Sequence, residues 1–245
     1  MRYRTSAIST VFLLLFFASC GEAPKKGTDK VGEKITKPDS LPQLPEDSPP
    51  RGDENQGDAQ NGPFLLTEEN AIDFFFGYGK DLKEDRVKIT TSMGSFTIEL
   101  YDNVPYHKAN FIYLAKKNYF DSTQFHRVVK DFIIQGGSTD DREIMKKRGE
   151  IGRYLLPPDT KKGHSHHRGT ISMPSSDRDN PHKLASPYEF FIVVTHPGSY
   201  HLDGSYTPFG RVIEGMDVVD AINKVPVGDG DWPWKSVYIL KAEAL

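Results

Sequence analysis

The segment Phe125–Gly137 combines one guanidinium, one amide and a run of large apolar side chains. Arg127 offers a permanently charged plane of hydrogen-bond donors, and Gln135 offers both donors and an acceptor. Taken alone, Arg127 is typical of a surface residue in an ion pair, because arginine side chains are mostly exposed. Its neighbour His126 has the opposite strand parity and is predicted to be a structural strand residue. The chemistry of this segment therefore has to be judged from the sequence around it.

A cluster of imidazoles at His164, His166 and His167 supplies the ligand type that Zn²⁺ and Cu²⁺ accept. The first two would share one face of a strand. Because no matching carboxylate or thiolate pattern occurs elsewhere, a solvated basic loop is favoured over a metal site. The run Asp177–Asn180 begins like a calcium-binding loop but lacks the later glycine and glutamate. We therefore predict no metal site and no cofactor.

The segment Phe125–Gly137 resembles the signature of the cyclophilin family of peptidyl-prolyl isomerases. Further stretches match in the same order: Gly169–Met173, Glu189–Ile192, Leu202–Gly204 and Phe209–Val219. The resemblance extends over about Val87 to Leu245, close to a whole domain of that family. It implies a mainly β fold, a closed eight-stranded antiparallel barrel capped by two α-helices, with the active groove on the outer surface of the barrel.

Enzymes of this family accelerate rotation about the peptide bond that precedes a proline. Rotation crosses a barrier of about 18 to 20 kcal/mol because amide resonance is broken on the way, and it needs no proton, electron or metal. In the twisted state the imide nitrogen regains its lone pair and accepts a hydrogen bond, so a fixed donor there lowers the barrier. The resemblance gives this donor role to Arg127, with Gln135 holding the guanidinium in position.

The resemblance also identifies the residues around the substrate. The implied catalytic residues are Arg127, Gln135 and Phe132, and the implied substrate-binding residues are Ile133, Met173, Glu189, Phe191, His201, Leu202 and Tyr206. Strand alternation supports part of this set, because Ile133 and Gln135 share one parity, as do Glu189 and Phe191. Each apolar member, taken singly, is equally typical of an ordinary core residue. Their role in a substrate pocket therefore rests on the resemblance.

Four positions depart from the usual family sequence. Glu189 replaces a Gln, and its carboxylate would either orient Arg127 or compete with substrate for it. Pro174 removes a backbone donor, His201 replaces a Trp, and Tyr206 replaces a His.

Two hypotheses about function follow from the resemblance and these departures. The first is a peptidyl-prolyl isomerase acting on exported or envelope proteins, and the second is a chaperone or scaffold that binds proline-containing segments with weakened catalysis.

The elements that would position these residues are indicated by periodicity. Val87–Thr91 and Phe96–Leu100 alternate apolar and polar residues on either side of a turn, which predicts a β-hairpin. Helices are predicted from Pro105 to about Asn118 and from Gly215 to about Lys224. Further strands are predicted at Phe125–Val129, Phe132–Gln135, Thr170–Met173, Phe190–Thr195 and Val237–Leu240.

The N-terminus has the layout of a signal peptide. Arg2 and Arg4 precede the apolar stretch Ala7–Ala18, which is shorter than the roughly 20 residues of a membrane-spanning helix. Small residues then lead to Cys20, as in a bacterial lipoprotein. We predict that residues 1–19 are removed and that Cys20 is lipidated, which would anchor the protein to a membrane of the cell envelope. Ordinary secretory cleavage, with Cys20 incidental, is the alternative.

The next stretch would separate the anchor from the folded part. Residues 20–63 are rich in proline and glycine and have no aromatic residue, which predicts a disordered tether. Thr67–Tyr78 has helical spacing and predicts a short helical extension over residues 64–84, with Gly77 and Gly79 as stop signals. The isomerase-like domain would follow at residues 85–245.

Composition excludes several classes of protein. A single cysteine permits neither an internal disulfide nor a thiolate zinc site. The net charge of -3, from 31 Lys and Arg against 34 Asp and Glu, gives no general attraction to nucleic acid. We expect proline-containing polypeptides as substrates, no nucleic-acid partner, and a monomer.

Overall fold

A computed structural model describes residues 64–175 and 181–245. The predicted signal peptide, Cys20 and the tether lie outside the described residues, and so does the whole run Asp177–Asn180 together with Ser176. Among the helices of the two described ranges, none has the length and apolar character needed to cross a membrane.

The described chain contains eight strands and four α-helices. The strands are β1 (Arg86–Thr91), β2 (Gly94–Leu100), β3 (Gln124–Val129), β4 (Ile133–Ser138), β5 (Thr170–Ser172), β6 (Phe190–Val193), β7 (Pro208–Glu214) and β8 (Ile239–Ala244). The helices are α1 (Ala71–Lys80), α2 (Pro105–Lys116), α3 (Arg142–Ile151) and α4 (Met216–Asn223). Two short 3-10 turns lie at Tyr200–Leu202 and Asp229–Asp231.

The strands form one antiparallel sheet that curls into a nearly closed barrel. Their order in the sheet is β3-β4-β6-β5-β7-β2-β1-β8. The two ends of this order meet where the Phe125 amide donates to the Val237 carbonyl at 2.9 Å and the Ile239 amide donates to the Thr123 carbonyl at 2.8 Å. These bonds satisfy edge groups that would otherwise be left unpaired. The predicted mainly β, eight-stranded antiparallel barrel is confirmed.

Alternation along the strands fills the barrel interior. In the β1–β2 hairpin, Val87 and Ile89 are buried while Lys88 between them is exposed. Ile134 of β4 and Ile192 of β6 are cross-strand partners, and both belong to the barrel core. The two predicted helices, α2 and α4, pack against the sheet and bury apolar residues there. Every second residue of β4 and β6 is thereby left for the outer face.

Helix α1 differs from the prediction at its C-terminal end. Gly77 and Gly79 lie inside the helix, which continues to Lys80. A glycine in a helix costs about 1 kcal/mol, but α1 buries Phe75 and packs against α2, and this packing outweighs the cost. A β-carbon on Gly79 would lie 3.7 Å from that of Ala109, so the two helices approach closely at that point.

Helix α3 was not predicted, because its sequence is strongly charged and offers few apolar residues. Asp141 caps it by accepting hydrogen bonds from the Glu143 amide at 2.8 Å and the Ile144 amide at 3.2 Å. Ile144 and Ile151 are the buried residues of the helix. The last strand also differs from the prediction, since β8 begins at Ile239 and ends at Ala244.

Candidate active site

A β-bulge in β3 turns two neighbouring side chains outward. Phe125 pairs with Gly136 and Arg127 pairs with Gln135, so His126 is an extra residue in the ladder. Phe125 is buried in the barrel core, whereas His126 and Arg127 are both partly exposed. The prediction that His126 faces away from Arg127 is therefore wrong, because strict alternation holds only in a regular ladder.

A second apolar cluster lies on the outer face of the barrel, and we call it the outer cluster. Its members are Ile133, Phe191 and Val193, which are buried, and Val129, Phe132, Leu202 and Tyr206, which are partly buried. Ile133 pairs with Val193 across β4 and β6, which sets both on the face opposite to the core residues between them. Aromatic contacts shape the cluster: Phe191 meets Tyr206 edge to face, with ring centroids 5.5 Å apart.

His201 extends this surface, because its ring stacks on that of Phe132 at 5.5 Å between centroids. Of the predicted substrate-binding residues, the structure thus brings Ile133, Phe191, Leu202 and Tyr206 together with His201 on one face.

Met173 is the exception among the predicted substrate-binding residues. Its side chain is 1% exposed and belongs to the barrel core. The preceding residue, Ser172, pairs with Phe191 across β5 and β6, so alternation sends Met173 to the other face. The structure therefore removes Met173 from the candidate site.

A polar row runs along the edge of the outer cluster. The Gln135 amide Nε2 donates to Glu189 Oε2 at 2.9 Å, and His126 Nε2 lies 3.5 Å from the same oxygen. Burial favours the neutral form of Glu189, but the contacts with His126 and Gln135 outweigh it and hold the pKa of Glu189 below its ordinary value. Glu189 is therefore an anion at neutral pH, and it fixes the amide of Gln135.

Arg127 has a different carboxylate partner. Its Nη2 lies 3.2 Å from Oδ2 of Asp231, and the two side chains are 42% and 39% exposed. Within the described residues, no hydrogen bond joins Gln135 to Arg127. The expectation that Glu189 is the carboxylate beside Arg127 is wrong, because Glu189 is engaged with Gln135 instead.

The backbone conformation of the turn at Asp231 places the Asp231 side chain beside β3. Gly230 and Asp231 have φ values of 75° and 65°, in the left-handed region that non-glycine residues rarely adopt. The following residue, Trp232, lies with its ring centroid 5.9 Å from that of His126. Sequence reasoning missed Asp231, and its only local signal was the glycine-rich run Gly228–Asp231.

The three histidines considered as metal ligands lie in different surroundings. His164 stacks on Tyr101 at 3.8 Å between centroids, and His167 Nδ1 lies 3.0 Å from the Tyr200 hydroxyl. The prediction of a solvated loop is wrong for His166, which is completely buried. In the described ranges, no group of three His, Cys, Asp or Glu side chains is arranged to hold a metal ion.

The arrangement can bind an apolar ring and a polar backbone group side by side. The outer cluster offers an apolar surface with aromatic walls, and Arg127 offers charged donors at its rim. Gln135 lies between them, since it pairs with Arg127 on one side and with Phe191 on the other. A short peptide segment with one compact apolar ring matches this combination of surfaces.

Comparison with known proteins gives a consistent result. The family model for cyclophilin type peptidyl-prolyl cis-trans isomerase/CLD matches residues 86–244. The chain is 38% identical over 161 residues to peptidyl-prolyl cis-trans isomerase-like 1 of Neurospora crassa, covering 65% of this chain and 93% of that protein. It is 36% identical over 171 residues to peptidyl-prolyl cis-trans isomerase-like 2 of Rhizopus delemar, covering 69% of this chain but only 30% of that longer protein.

A solved structure supports the same assignment. The crystal structure of a cyclophilin type peptidyl-prolyl cis-trans isomerase from Cryptosporidium parvum has a TM-score of 0.56 and 26% sequence identity, and the match covers 66% of this chain and 98% of that one. A second crystal structure of that protein was determined in the presence of the dipeptide Ala-Pro, and its TM-score is 0.55.

Proposed function

The chain belongs to the cyclophilin-type peptidyl-prolyl cis-trans isomerase family, and on that premise we propose how its residues divide the work. The outer cluster holds the proline ring of a polypeptide, and Arg127 stabilises the twisted X-Pro bond. Gln135, fixed by Glu189, contacts the backbone of the bound segment, while Phe132 and His201 form one wall of the site.

One observation carries this proposal. Arg127, Gln135 and Phe191 are successive cross-strand partners on β3, β4 and β6. Adjacent strands lie about 4.8 Å apart, so the backbone positions of Arg127 and Phe191 are roughly 10 Å apart. An extended arginine side chain covers most of this distance, and a bound peptide fills the rest, which allows the guanidinium to meet a peptide bond whose proline ring rests on Phe191.

The energetic effect of Arg127 comes from the electronic change at the imide nitrogen. In the planar ground state its lone pair is delocalised, and in the twisted transition state it becomes an acceptor. A hydrogen bond from a charged donor is worth about 1.5 to 3 kcal/mol, and a bond made only in the transition state accelerates the reaction roughly 10- to 150-fold. The apolar wall supplies affinity for the proline ring by burying its surface.

The decisive experiment uses NMR exchange spectroscopy to measure the rate of cis-trans isomerisation in a short peptide that contains an Ala-Pro bond. The wild-type protein should accelerate exchange between cis and trans forms, and Arg127→Ala should lose most of this acceleration while still binding the peptide. Equal acceleration by both proteins would overturn the role proposed for Arg127.

A second candidate function is capture of proline-containing segments with slow catalysis. The ion pair between Asp231 and Arg127 favours it, because a carboxylate beside the guanidinium competes with the substrate. Peptide binding without measurable acceleration of exchange would support this alternative. Acceleration that disappears in Arg127→Ala would reject it.

For the cellular setting, we propose a lipoprotein of the cell envelope that acts on exported proteins. The support comes from the sequence: the basic start, the apolar stretch Ala7–Ala18, and Cys20 as the only cysteine. Labelling cells with an alkyne fatty acid should tag the wild-type protein but not Cys20→Ala, and only the wild type should fractionate with membranes. Equal labelling of both proteins would contradict lipidation at Cys20.

A further inference from the structure

A buried chain of polar side chains lies against the outer cluster. His166 is 0% exposed, and its Nδ1 lies 2.6 Å from Oδ1 of Asp203 while its Nε2 lies 3.0 Å from Oγ of Ser172. The His166 backbone amide also donates to Oδ1 of Asp203, at 2.9 Å. Every polar atom of the imidazole is therefore paired in an interior where an unpaired one would be costly.

The protonation states in this chain follow from its surroundings. Burial lowers the pKa of His166, and the contact with Asp203 offsets this only in part. Burial tends to raise the pKa of Asp203, but the hydrogen bonds from His166 outweigh it and leave that pKa below its ordinary value. A neutral imidazole then donates from Nδ1 to the carboxylate and accepts at Nε2 from the Ser172 hydroxyl.

The order serine, histidine, carboxylate is also that of hydrolytic triads, but this chain is not placed to act as one. Ser172 is 0% exposed and lies within β5, paired with Phe191 on one side and with Pro208 on the other. A nucleophile has to reach a substrate carbonyl, which a hydroxyl buried beneath an imidazole cannot do. The hydrogen-bonded side chains of Ser172, His166 and Asp203 therefore act through the residues that they hold in place.

What they hold are two walls of the outer cluster. The His166 ring lies parallel to that of Phe191, with an interplanar angle of 11° and centroids 6.1 Å apart. Asp203 directly follows Leu202, and the Ser199 amide donates to the His166 carbonyl at 2.7 Å. The 3-10 turn that carries Leu202 is thus fastened at both of its ends to His166, in the segment that precedes β5.

We propose that His166 is a positioning residue for substrate binding. Through Asp203 it fixes Leu202, and through Ser172 and its own ring it supports Phe191, so that the proline-binding surface keeps its shape before a substrate arrives. This inference rests on the proposed function, since it assumes that the outer cluster receives the proline ring. His166 has no contact with Arg127 among the described residues, so it acts on affinity and not on the rotation step.

Three variants separate the contributions of the individual hydrogen bonds among Ser172, His166 and Asp203. His166→Ala removes both side-chain hydrogen bonds. His166→Asn keeps a donor in the place of Nδ1 and loses the acceptor for Ser172. Ser172→Ala removes the same bond from its other end and leaves the imidazole in place.

The control is His164→Ala. It removes an imidazole from the same stretch of chain, where the ring stacks on Tyr101 outside the outer cluster.

Peptide affinity is measured by NMR titration with an Ala-Pro peptide, and kcat and KM are measured separately from exchange rates over a range of peptide concentrations. We expect His166→Ala to raise Kd and KM roughly fivefold or more, with kcat within about twofold of wild type. His166→Asn and Ser172→Ala should show smaller increases of the same kind, and His164→Ala should match the wild type.

Thermal unfolding identifies which variants are folded under the assay conditions. If His166→Ala does not fold, the affinities of His166→Asn and Ser172→Ala decide the matter. Folded variants with wild-type Kd and KM would overturn the proposal, and so would a loss confined to kcat. A wild type that binds peptide but does not accelerate exchange would defeat the proposed catalysis, and the Kd values would still decide the role of His166.

Discussion

The guanidinium of Arg127 lies 3.2 Å from the carboxylate of Asp231, on the rim of the outer cluster. Both side chains are more than a third exposed, and ion pairs of this kind contribute only about 0 to 1 kcal/mol because water screens them. A substrate can therefore displace Asp231 at small cost. We infer that the pair slows the approach of a peptide to Arg127 without blocking it.

Asp231→Asn should raise kcat/KM, because the guanidinium of Arg127 no longer has to break an ion pair before it contacts the substrate. The energy of such a pair corresponds to an increase of up to about fivefold at low ionic strength. Added salt should activate the wild type and have a weaker effect on the variant. Asp229→Asn, in the same turn, is the matched control and should change little. A fall in kcat/KM for Asp231→Asn would instead mean that Asp231 orients Arg127 productively.

Phe191→Ala should reduce both stability and peptide affinity. The ring is almost fully buried and meets Tyr206 edge to face, and truncating a buried phenylalanine costs about 3 to 5 kcal/mol. Phe76→Ala, at an exposed position of α1, makes the same chemical change and should cost less than about 1 kcal/mol.

Urea unfolding measures both losses of stability, and Phe191→Leu keeps the affinity test available if the alanine variant is too unstable. A Phe191→Leu protein with wild-type affinity for an Ala-Pro peptide would contradict the role of this ring in binding proline.

His107 should make the fold sensitive to acid. It is fully buried on α2, neither ring nitrogen has a hydrogen-bond partner in the described structure, and burial lowers its pKa to about 3. Between the unfolded pKa of about 6.5 and this value, only the unfolded state binds the proton, so stability falls as pH falls. The slope reaches about 1.4 kcal/mol per pH unit.

His107→Leu removes this group and should flatten the pH dependence of unfolding between pH 6.5 and 4. The free energy of unfolding, measured by urea titration at several pH values, provides the comparison, since all other titrating groups are common to both proteins. An identical fall of stability with pH in the two proteins would show that His107 is not responsible.

The barrel could be predicted from the sequence because the alternation of apolar and polar residues along a strand is a local property. Val87 and Ile89 alternate with more polar residues, and the hairpin they form with β2 is the one predicted. The outer face of β4 followed from the same reasoning, since Ile133 and Gln135 share a parity and both lie at the site.

The parts that were missed depend on contacts between distant segments. The bulge at His126 is defined only by pairing with β4, and local alternation therefore gave the wrong face. Asp231 reaches Arg127 through a left-handed turn of a segment far along the chain. In the sequence, His166 is one of several histidines in a polar stretch. Its burial could not be predicted because it depends on contacts with Asp203 and Ser172.

The central claim is that one guanidinium beside the outer cluster stabilises the twisted X-Pro bond. The most direct test compares wild type, Arg127→Lys and Arg127→Ala in catalysed cis-trans exchange of an Ala-Pro peptide under saturating conditions. We predict that kcat falls at least about tenfold in Arg127→Ala and less in Arg127→Lys, which keeps a charge but loses the planar donors, while Kd changes little. A folded Arg127→Ala protein with the kcat of the wild type would contradict the account.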